Sequence, residues 1–101
     1  MRKPPYRIEF TPEADDHFGK LTARDRSTLA DAIETQLPHQ PTVASRNRGR
    51  MEPNPVAEYR LRVGEMRVYY DVMQAERMVK VKAIGIKDRD RVLVGGKEID
   101  L

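Results

Sequence analysis

The stretch from Ala57 to Ile86 constrains the fold of this chain more than any other part of its sequence. Over its first seven residues, apolar and polar side chains alternate strictly, which indicates a strand with one buried and one solvent-facing side. Gly64-Glu65 has the length and the leading glycine of a two-residue type II′ hairpin turn. A second turn around residues 74–77 returns the chain as a further strand. The stretch therefore predicts a three-stranded antiparallel meander.

The first turn determines which side chains of the meander face each other. It places Arg62 opposite Arg67, and Arg60 opposite Tyr69. Like charges that lie directly opposite each other destabilise a sheet. We therefore expect the facing arginines to serve a function rather than the fold.

The third strand extends the same charged face. We expect the second turn to pair Asp71 with Lys80 and Tyr69 with Lys82. One face of the sheet then carries six cationic or aromatic side chains: Arg60, Arg62, Arg67, Tyr69, Lys80 and Lys82. The other face is apolar, so another part of the chain has to pack against it and cover it.

The residues before the meander supply that cover. Residues 6–10 alternate as a first strand, and Thr11-Pro12 supplies a capping hydroxyl followed by proline at the first helical position. Thr22 begins a second helix, which we expect to end near Leu37. The prediction is an α+β fold in which a helix hairpin packs on one face of the sheet.

Length and composition restrict the classes of function. The 101 residues predict a single domain over positions 1–101. The absence of cysteine excludes disulfides and a thiol nucleophile. The sequence has no apolar run of about 18 residues for a membrane span and no signal-peptide core, so we expect a cytoplasmic location. Residues 1–45 have a net charge of −1 (six basic, seven acidic) and residues 46–101 one of +4 (thirteen basic, nine acidic), which favours an anionic partner for the sheet half.

The connection before the meander is also basic. Arg46, Arg48 and Arg50 alternate with Asn47 and Gly49, so an extended segment would place all three arginines on one side. A face that is charged only for solubility would carry mixed signs, whereas bases outnumber acids here. The predicted nucleic-acid-binding residues are Arg46, Arg48, Arg50, Tyr69, Lys80, Lys82 and Arg89.

Neither histidine indicates a metal or a catalytic base. His17 and His39 lack neighbours at metal-ligand spacing, and we expect each on the plain surface. We predict no metal and no cofactor. A base for catalysis would have to be an arginine or lysine of perturbed pKa, or Tyr69, so anion binding is a safer inference than cleavage.

Residues 59–72, YRLRVGEMRVYYDV, resemble the motif Y-[RK]-[LI]-[RK]-V-G-x-x-R-V-x-Y of the RelE/ParE superfamily of type II toxin–antitoxin toxins. Val81 to Ile84, followed by Gly85-Ile86-Lys87, resembles the strand of that family that ends in G-x-[RK]. The order of strand, two helices and antiparallel strands fits the same family over nearly the whole chain.

The resemblance implies a ribosome-dependent mRNA endoribonuclease that inhibits translation. Its partners would be the ribosome, mRNA and a cognate antitoxin, the last in a toxin–antitoxin hetero-oligomer. The implied catalytic residues are Arg60, Arg62, Arg67 and Lys87, with Arg67 at the scissile phosphate. The ribonuclease branch has arginine at the position of Lys87 and a base-stacking tyrosine at that of Leu93. Two alternatives stay open, a ParE-like inhibitor of DNA gyrase and a non-catalytic corepressor module that binds the antitoxin.

Overall fold

The elements of the chain follow the predicted order, from a first strand through two helices to an antiparallel sheet. The computed structural model describes residues 4–99. The helices are α1 (Pro12–Gly19) and α2 (Ala23–Gln36), and the strands are β1 (Arg7–Phe10), β2 (Arg48–Arg50), β3 (Tyr59–Val63), β4 (Met66–Met73), β5 (Met78–Asp88), β6 (Arg91–Val94) and β7 (Lys97–Ile99). The α+β fold class is confirmed, and β2, β6 and β7 extend the predicted meander. Neither helix in residues 4–99 is long and apolar enough to span a membrane.

Both helices begin where their capping residues predict. The hydroxyl of Thr11 accepts a hydrogen bond from the Ala14 N–H at 3.1 Å, and that of Thr22 accepts one from the Asp25 N–H at 3.1 Å. These bonds satisfy backbone donors that the first turn of a helix leaves without partners. The second helix ends with Leu37 as its C-cap, directly before Pro38. A proline at that point cannot continue the helix.

Strand β5 is the centre of the sheet, whose order is β2-β3-β4-β5-β6-β7. One edge of β5 pairs with β4 along the whole length of β4. The other edge is shared, because β1 pairs in parallel with Met78–Val81 and β6 pairs antiparallel with Gly85–Asp88. On this edge, the short piece of β5 between the two partners pairs with no strand, although β4 pairs with it on the other edge.

Helix α1 fills this break in the sheet. The Thr11 N–H donates to the Val81 carbonyl at 3.0 Å, and the Thr11 hydroxyl donates to the Lys82 carbonyl at 3.2 Å. The Ile84 N–H donates to Nδ1 of His17 at 3.2 Å. The prediction of a plain surface role for His17 is therefore wrong. Its partner is a backbone N–H far away in the sequence, which no local pattern indicates.

The main core lies between the helices and the apolar face of the sheet. Its buried members are Ala14, Leu21, Leu29, Ile33, Leu37, Leu61, Met66, Val68, Tyr70, Val79, Val81 and Ile84. The ring of Tyr70 stacks on Tyr59 at a centroid distance of 5.5 Å, and its hydroxyl donates to the Pro41 carbonyl at 2.6 Å. A buried phenol needs such a partner, so Tyr70 ties the loop after α2 to the sheet.

The register of the first hairpin is as predicted. Arg62 pairs with Arg67 and Arg60 with Tyr69, and Gly64 has a φ of 59°, as the first position of a type II′ turn requires. The later register is partly wrong. Asp71 pairs with Lys80 as expected, but Tyr69 pairs with Ala83.

The difference is a β-bulge. Tyr70 pairs with Val81 and Tyr69 with Ala83, which leaves Lys82 as the extra residue of β5. A bulge of this kind places two residues of one strand opposite one position of its partner. It shifts every later residue of β5 to the opposite face from the one that uninterrupted pairing would give.

A second, smaller core covers part of the sheet face that points away from the helices. Ala57, Tyr69 and Ala83 are buried there. Five partly buried apolar residues pack against them: Met51, Val56, Val92, Val94 and Ile99. The loop before β3 and the β6–β7 hairpin therefore both fold over this face.

Gly85 allows that hairpin to lie close to β5. A Cβ atom at Gly85 would lie 2.7 Å from Cγ1 of Val92 and 3.0 Å from Cγ2 of Val94, whereas one at Gly49 would meet nothing within 4 Å. We expect Gly85→Ala to lower the free energy of unfolding by about 1–3 kcal/mol through overpacking. Urea denaturation measures this, with Gly49→Ala as the matched control. Equal stability of the two variants would contradict the close packing.

The hydrogen bond to His17 predicts a fall in stability at mildly acidic pH. Burial is the largest cause that lowers the pKa of His17 from its ordinary value of 6.5; Lys20 also lowers it, whereas Asp16 and Glu13 raise it. A folded-state pKa below the unfolded one means that the neutral ring stabilises the protein above the ordinary value. This stabilisation is lost as the pH falls through 6.5 and below.

We expect the urea midpoint of His17→Asn to change less than that of the native chain between about pH 7.5 and pH 5. Asparagine keeps an acceptor near the position of Nδ1 but does not titrate. His39→Asn is the control, because the exposed His39 has no such contact in residues 4–99. An identical pH dependence in the native chain and in His17→Asn would show that His17 is not the titrating group.

Candidate nucleic-acid interface

Three arginines lie together on the sheet face that points away from the helices, and we call Arg60, Arg62 and Arg67 the arginine cluster. Arg60 and Arg62 alternate along β3 with Leu61, which is buried against the helices, so both point the other way. Arg67 lies across from Arg62 on β4. Arg60 and Arg62 are exposed, whereas Arg67 is only 6% exposed.

The hairpin turn holds the guanidinium of Arg67. Its Nη1 donates to the carbonyls of Gly64 and Met66 at 2.8 and 2.9 Å. The pKa of Arg67 is lowered, first by burial and then by the charge of Arg62. The fold thus fixes one end of the Arg67 guanidinium next to the positive charge of Arg62.

Within residues 4–99, no carboxylate oxygen lies within 4.0 Å of a cluster nitrogen. Facing like charges cost stability that a bound anion would restore. The electrostatics of the cluster therefore favour an anionic ligand such as a phosphate group.

Lys87 lies beside the cluster, as its predicted role requires. The Lys87 N–H donates to the Glu65 carbonyl at 2.7 Å, which fixes this part of β5 next to the hairpin turn. Arg67 pairs with Gly85, so Lys87, two residues further on, is the diagonal neighbour of Arg67 on the same face. Such neighbours are roughly 7–8 Å apart, within reach of one ligand for two long side chains.

Tyr69 does not offer the stacking surface that we expected. The smaller core covers its ring, which is 1% exposed. Burial raises the pKa of Tyr69, although Arg60 and Arg67 lower it in part. The phenol therefore keeps its proton at neutral pH, which makes it a hydrogen-bond donor and not a base.

The structure does not bring the basic connection to the cluster. Arg48 and Arg50 pair with Leu61 and Tyr59, whose side chains belong to the helix face. Arg48 and Arg50 therefore lie on one side of an extended strand, as expected, but that side is the helix face and not the face of the arginine cluster. Sequence reasoning missed this because residues 48–50 join β3 as a further antiparallel strand, β2.

Arg48 is a structural residue. It is 7% exposed; its Nε donates to the Val43 carbonyl at 2.7 Å, and its Nη1 donates to Oε1 of Gln36 at 2.8 Å. These bonds join the connection to α2 and hold the Arg48 guanidinium on the helix side of the sheet, away from the arginine cluster. Arg46 is exposed in the loop before β2, and Arg50 is exposed and 3.3 Å from the carboxylate of Glu58.

The remaining predicted cations lie away from the cluster or have a carboxylate nearby. Nζ of Lys82 lies 3.7 Å from the Asp71 carboxylate. Lys80 is half-buried and pairs with Asp71 in the register. Arg89 is exposed in the turn between β5 and β6, with a φ of 60°.

Leu93 faces away from the cluster. It pairs with Ile86, whereas its neighbours Val92 and Val94 point to the smaller core. A side chain at position 93 therefore lies on the helix side of the sheet. In residues 4–99, no three His, Asp or Glu side chains are grouped to hold a metal ion.

Comparison with solved structures identifies the fold. The chain is similar to a chain of the toxin–antitoxin complex RelBE2 from Mycobacterium tuberculosis, with a TM-score of 0.73 and 19% identity over 85% of this chain and 95% of that chain. The chain has a RelE-like fold. It is also similar to a chain of the archaeal RelE–RelB complex from Pyrococcus horikoshii OT3, with a TM-score of 0.68 and 18% identity over 84% of this chain and 98% of that one. No protein-family model and no curated protein matches the sequence.

Because Arg62 and Arg67 face each other, reversing the charge of Arg62 should change the stability of the protein. We expect Arg62→Glu to raise the free energy of unfolding by roughly 0.2–1 kcal/mol, because it places opposite charges across the β3–β4 ladder. Its affinity for RNA should fall and depend less on salt. Urea denaturation and a filter-binding titration measure the two effects.

A control for this variant removes a cation elsewhere. Arg7→Glu changes an exposed arginine on β1 and should leave RNA affinity nearly unchanged. Unfolding of Arg62→Glu would mean that the cluster supports the fold.

Proposed function

We propose that the chain is a toxin of a type II toxin–antitoxin system, a RelE-like endoribonuclease that cleaves mRNA on the ribosome and so inhibits translation in the cytoplasm. The observation that supports this most is the arginine cluster, which has no carboxylate partner in residues 4–99 and lies beside Lys87 on a RelE-like fold. Both similar structures are toxin–antitoxin complexes. A cognate antitoxin is therefore the expected protein partner.

The cluster residues have separable roles in this proposal. Arg60 and Arg62 are exposed and bind the mRNA backbone through its phosphates. Arg67 stabilises the negative charge that builds up on the scissile phosphate. Because the turn carbonyls hold its Nη1, the guanidinium is oriented before the RNA arrives. Lys87 adds a point charge on the same face.

The burial and protonation of Tyr69 support a second candidate function, one without catalysis. Transfer of the ribose 2′-hydroxyl proton needs a base, and the raised pKa of Tyr69 removes that residue from the role. A toxin that only binds its target needs no base. The alternative is therefore a ParE-like inhibitor of DNA gyrase, or a non-catalytic module that binds the antitoxin.

Cleavage of mRNA on purified translating ribosomes tests the proposal. The native chain should produce new 5′ ends that primer extension maps to coding sequence. Arg67→Ala should reduce the cleavage rate by about 10²–10³-fold, as expected when one preorganised donor to a developing charge is removed. Arg7→Ala removes the same charge from β1 and should cleave at the native rate.

Three outcomes would decide against cleavage or against this site. Intact mRNA together with inhibited supercoiling by gyrase would favour the ParE-like alternative. Intact mRNA, active gyrase and normal growth on expression would favour the non-catalytic module. Full activity of a folded Arg67→Ala would remove Arg67 from the mechanism.

A further inference from the structure

Two neighbouring tyrosines of β4 are buried on opposite faces of the sheet. Tyr69 and Tyr70 are 1% and 0% exposed. Tyr70 points to the helices, and its hydroxyl donates to the Pro41 carbonyl at 2.6 Å. Tyr69 points the other way, and its ring packs in the smaller core. A buried phenol normally has a hydrogen-bond partner, but of these two only Tyr70 has one within residues 4–99.

The hydroxyl group of Tyr69 is accessible although its ring is covered. In the part of the chain that the structure describes, no fully buried side-chain nitrogen or oxygen lacks a hydrogen-bond partner. The Tyr69 hydroxyl has no partner there, so its oxygen is not fully buried. The small exposed part of this side chain therefore includes the hydroxyl group.

Two cations of the arginine cluster flank Tyr69. Arg60 lies directly across from it on β3, and Arg67 lies two residues before it on the same face of β4. Directly opposite residues have Cβ atoms about 5 Å apart, and residues i and i+2 of a strand are about 7 Å apart. The charges of both arginines lower the pKa of the phenol, although burial raises that pKa on balance. A protonated hydroxyl group thus lies in the field of two cations.

The immediate surroundings offer this hydroxyl no side-chain acceptor. The guanidinium groups of Arg60 and Arg67 carry donors only, and the ring packs against the apolar side chains of Ala57 and Ala83. An acceptor from outside the chain would satisfy the phenol, and beside two cations the favoured acceptor is an anion. The oxygens of one phosphate group can accept from the hydroxyl and from both arginines.

We propose that the Tyr69 hydroxyl donates a hydrogen bond to the phosphodiester that the arginine cluster binds. Arg60 and Arg67 supply positive charge, whereas Tyr69 supplies a neutral donor that the smaller core holds in one position before the ligand arrives. The proposal rests on the proposed function, because the phosphodiester is that of the mRNA. It gives Tyr69 a contact through its hydroxyl group in place of the stacking of its ring on a base.

Binding of a 2′-O-methyl RNA oligonucleotide tests this role, with fluorescence anisotropy measured over a series of salt concentrations. The probe has the phosphodiesters of mRNA but no free 2′-hydroxyl to attack them, so binding is measured without cleavage. Tyr69→Phe should weaken binding about tenfold or more, as expected for the loss of one hydrogen bond to a charged group. The slope of log affinity against log salt should remain native, because a neutral donor releases no counterions.

Two further variants are the controls for this measurement. Arg60→Gln removes a charge from the cluster, so it should weaken binding and also make the salt slope shallower by about 0.7. Tyr70→Phe removes a hydroxyl group on the helix side and should bind the oligonucleotide with native affinity. Native affinity in Tyr69→Phe, or a shallower slope in that variant, would overturn the proposal.

Urea denaturation distinguishes a hydroxyl group that binds a ligand from one that supports the fold. Tyr70→Phe should lower the urea midpoint, because it removes a buried hydrogen bond. Tyr69→Phe should leave the midpoint unchanged or raise it. A loss in Tyr69→Phe as large as that in Tyr70→Phe would mean that the Tyr69 hydroxyl supports the fold, and it would overturn the proposal.

The role of Tyr69 and the proposed function can fail separately. Intact mRNA with the native chain, together with weaker oligonucleotide binding in Tyr69→Phe, would remove cleavage and support the phosphate contact. Cleavage by the native chain, together with native oligonucleotide binding in Tyr69→Phe, would overturn the contact and leave the proposed function standing.

Discussion

The shared edge of β5 is the constraint on which the rest of the structure depends. A parallel partner and an antiparallel partner lie along the same edge and leave a break between β1 and β6. Backbone groups in such a break need other partners, since an unsatisfied buried group costs free energy. Thr11 and His17 supply them from α1. The capping residue of the helix thus also continues the sheet, and this fixes α1 against β5.

Two opposing requirements meet at the β3–β4 hairpin. The apolar residues of the hairpin are buried under the helices and support its register, whereas Arg62 and Arg67 face each other on the other side. Burial and the neighbouring charge both disfavour the cation of Arg67, yet its position is held by two carbonyls of the turn. The stability that the main core provides therefore offsets the unfavourable facing charges of Arg62 and Arg67 on the outer face. Such local conflict is typical of functional sites.

Local patterns in the sequence were sufficient for the parts of the fold that depend on neighbours in the chain. The caps at Thr11 and Thr22, the turn at Gly64 and the facing of Arg62 and Arg67 are all read from spacing and residue type. The motif in β3 and β4 led to the RelE-like fold, which the comparison with solved structures confirms. The role expected for Lys87 followed from the second motif, which ends in Gly85-Ile86-Lys87.

The features that sequence reasoning missed depend on contacts between distant segments. Arg48 becomes buried because its short strand joins β3, and Tyr69 becomes buried because the β6–β7 hairpin folds over it. His17 is held by a backbone group of β5. Arginine is mostly exposed in proteins, and tyrosine and histidine are intermediate, so residue type alone does not indicate these contacts. The tertiary structure buries Arg48 and Tyr69 and leaves His17 partly exposed.

The bulge at Lys82 decides what the end of β5 presents on each side of the sheet. With uninterrupted pairing, the side-chain period of two would turn Lys87 towards the helices and Ile86 towards the arginines. The additional residue, Lys82, exchanges the two faces, so that Lys87 points towards the arginines and Ile86 towards the helices. The same backbone irregularity therefore sorts a cation to one face and an apolar side chain to the other. Loss or gain of a single residue at this point would invert the polarity of both surfaces while leaving the composition of the strand almost unchanged.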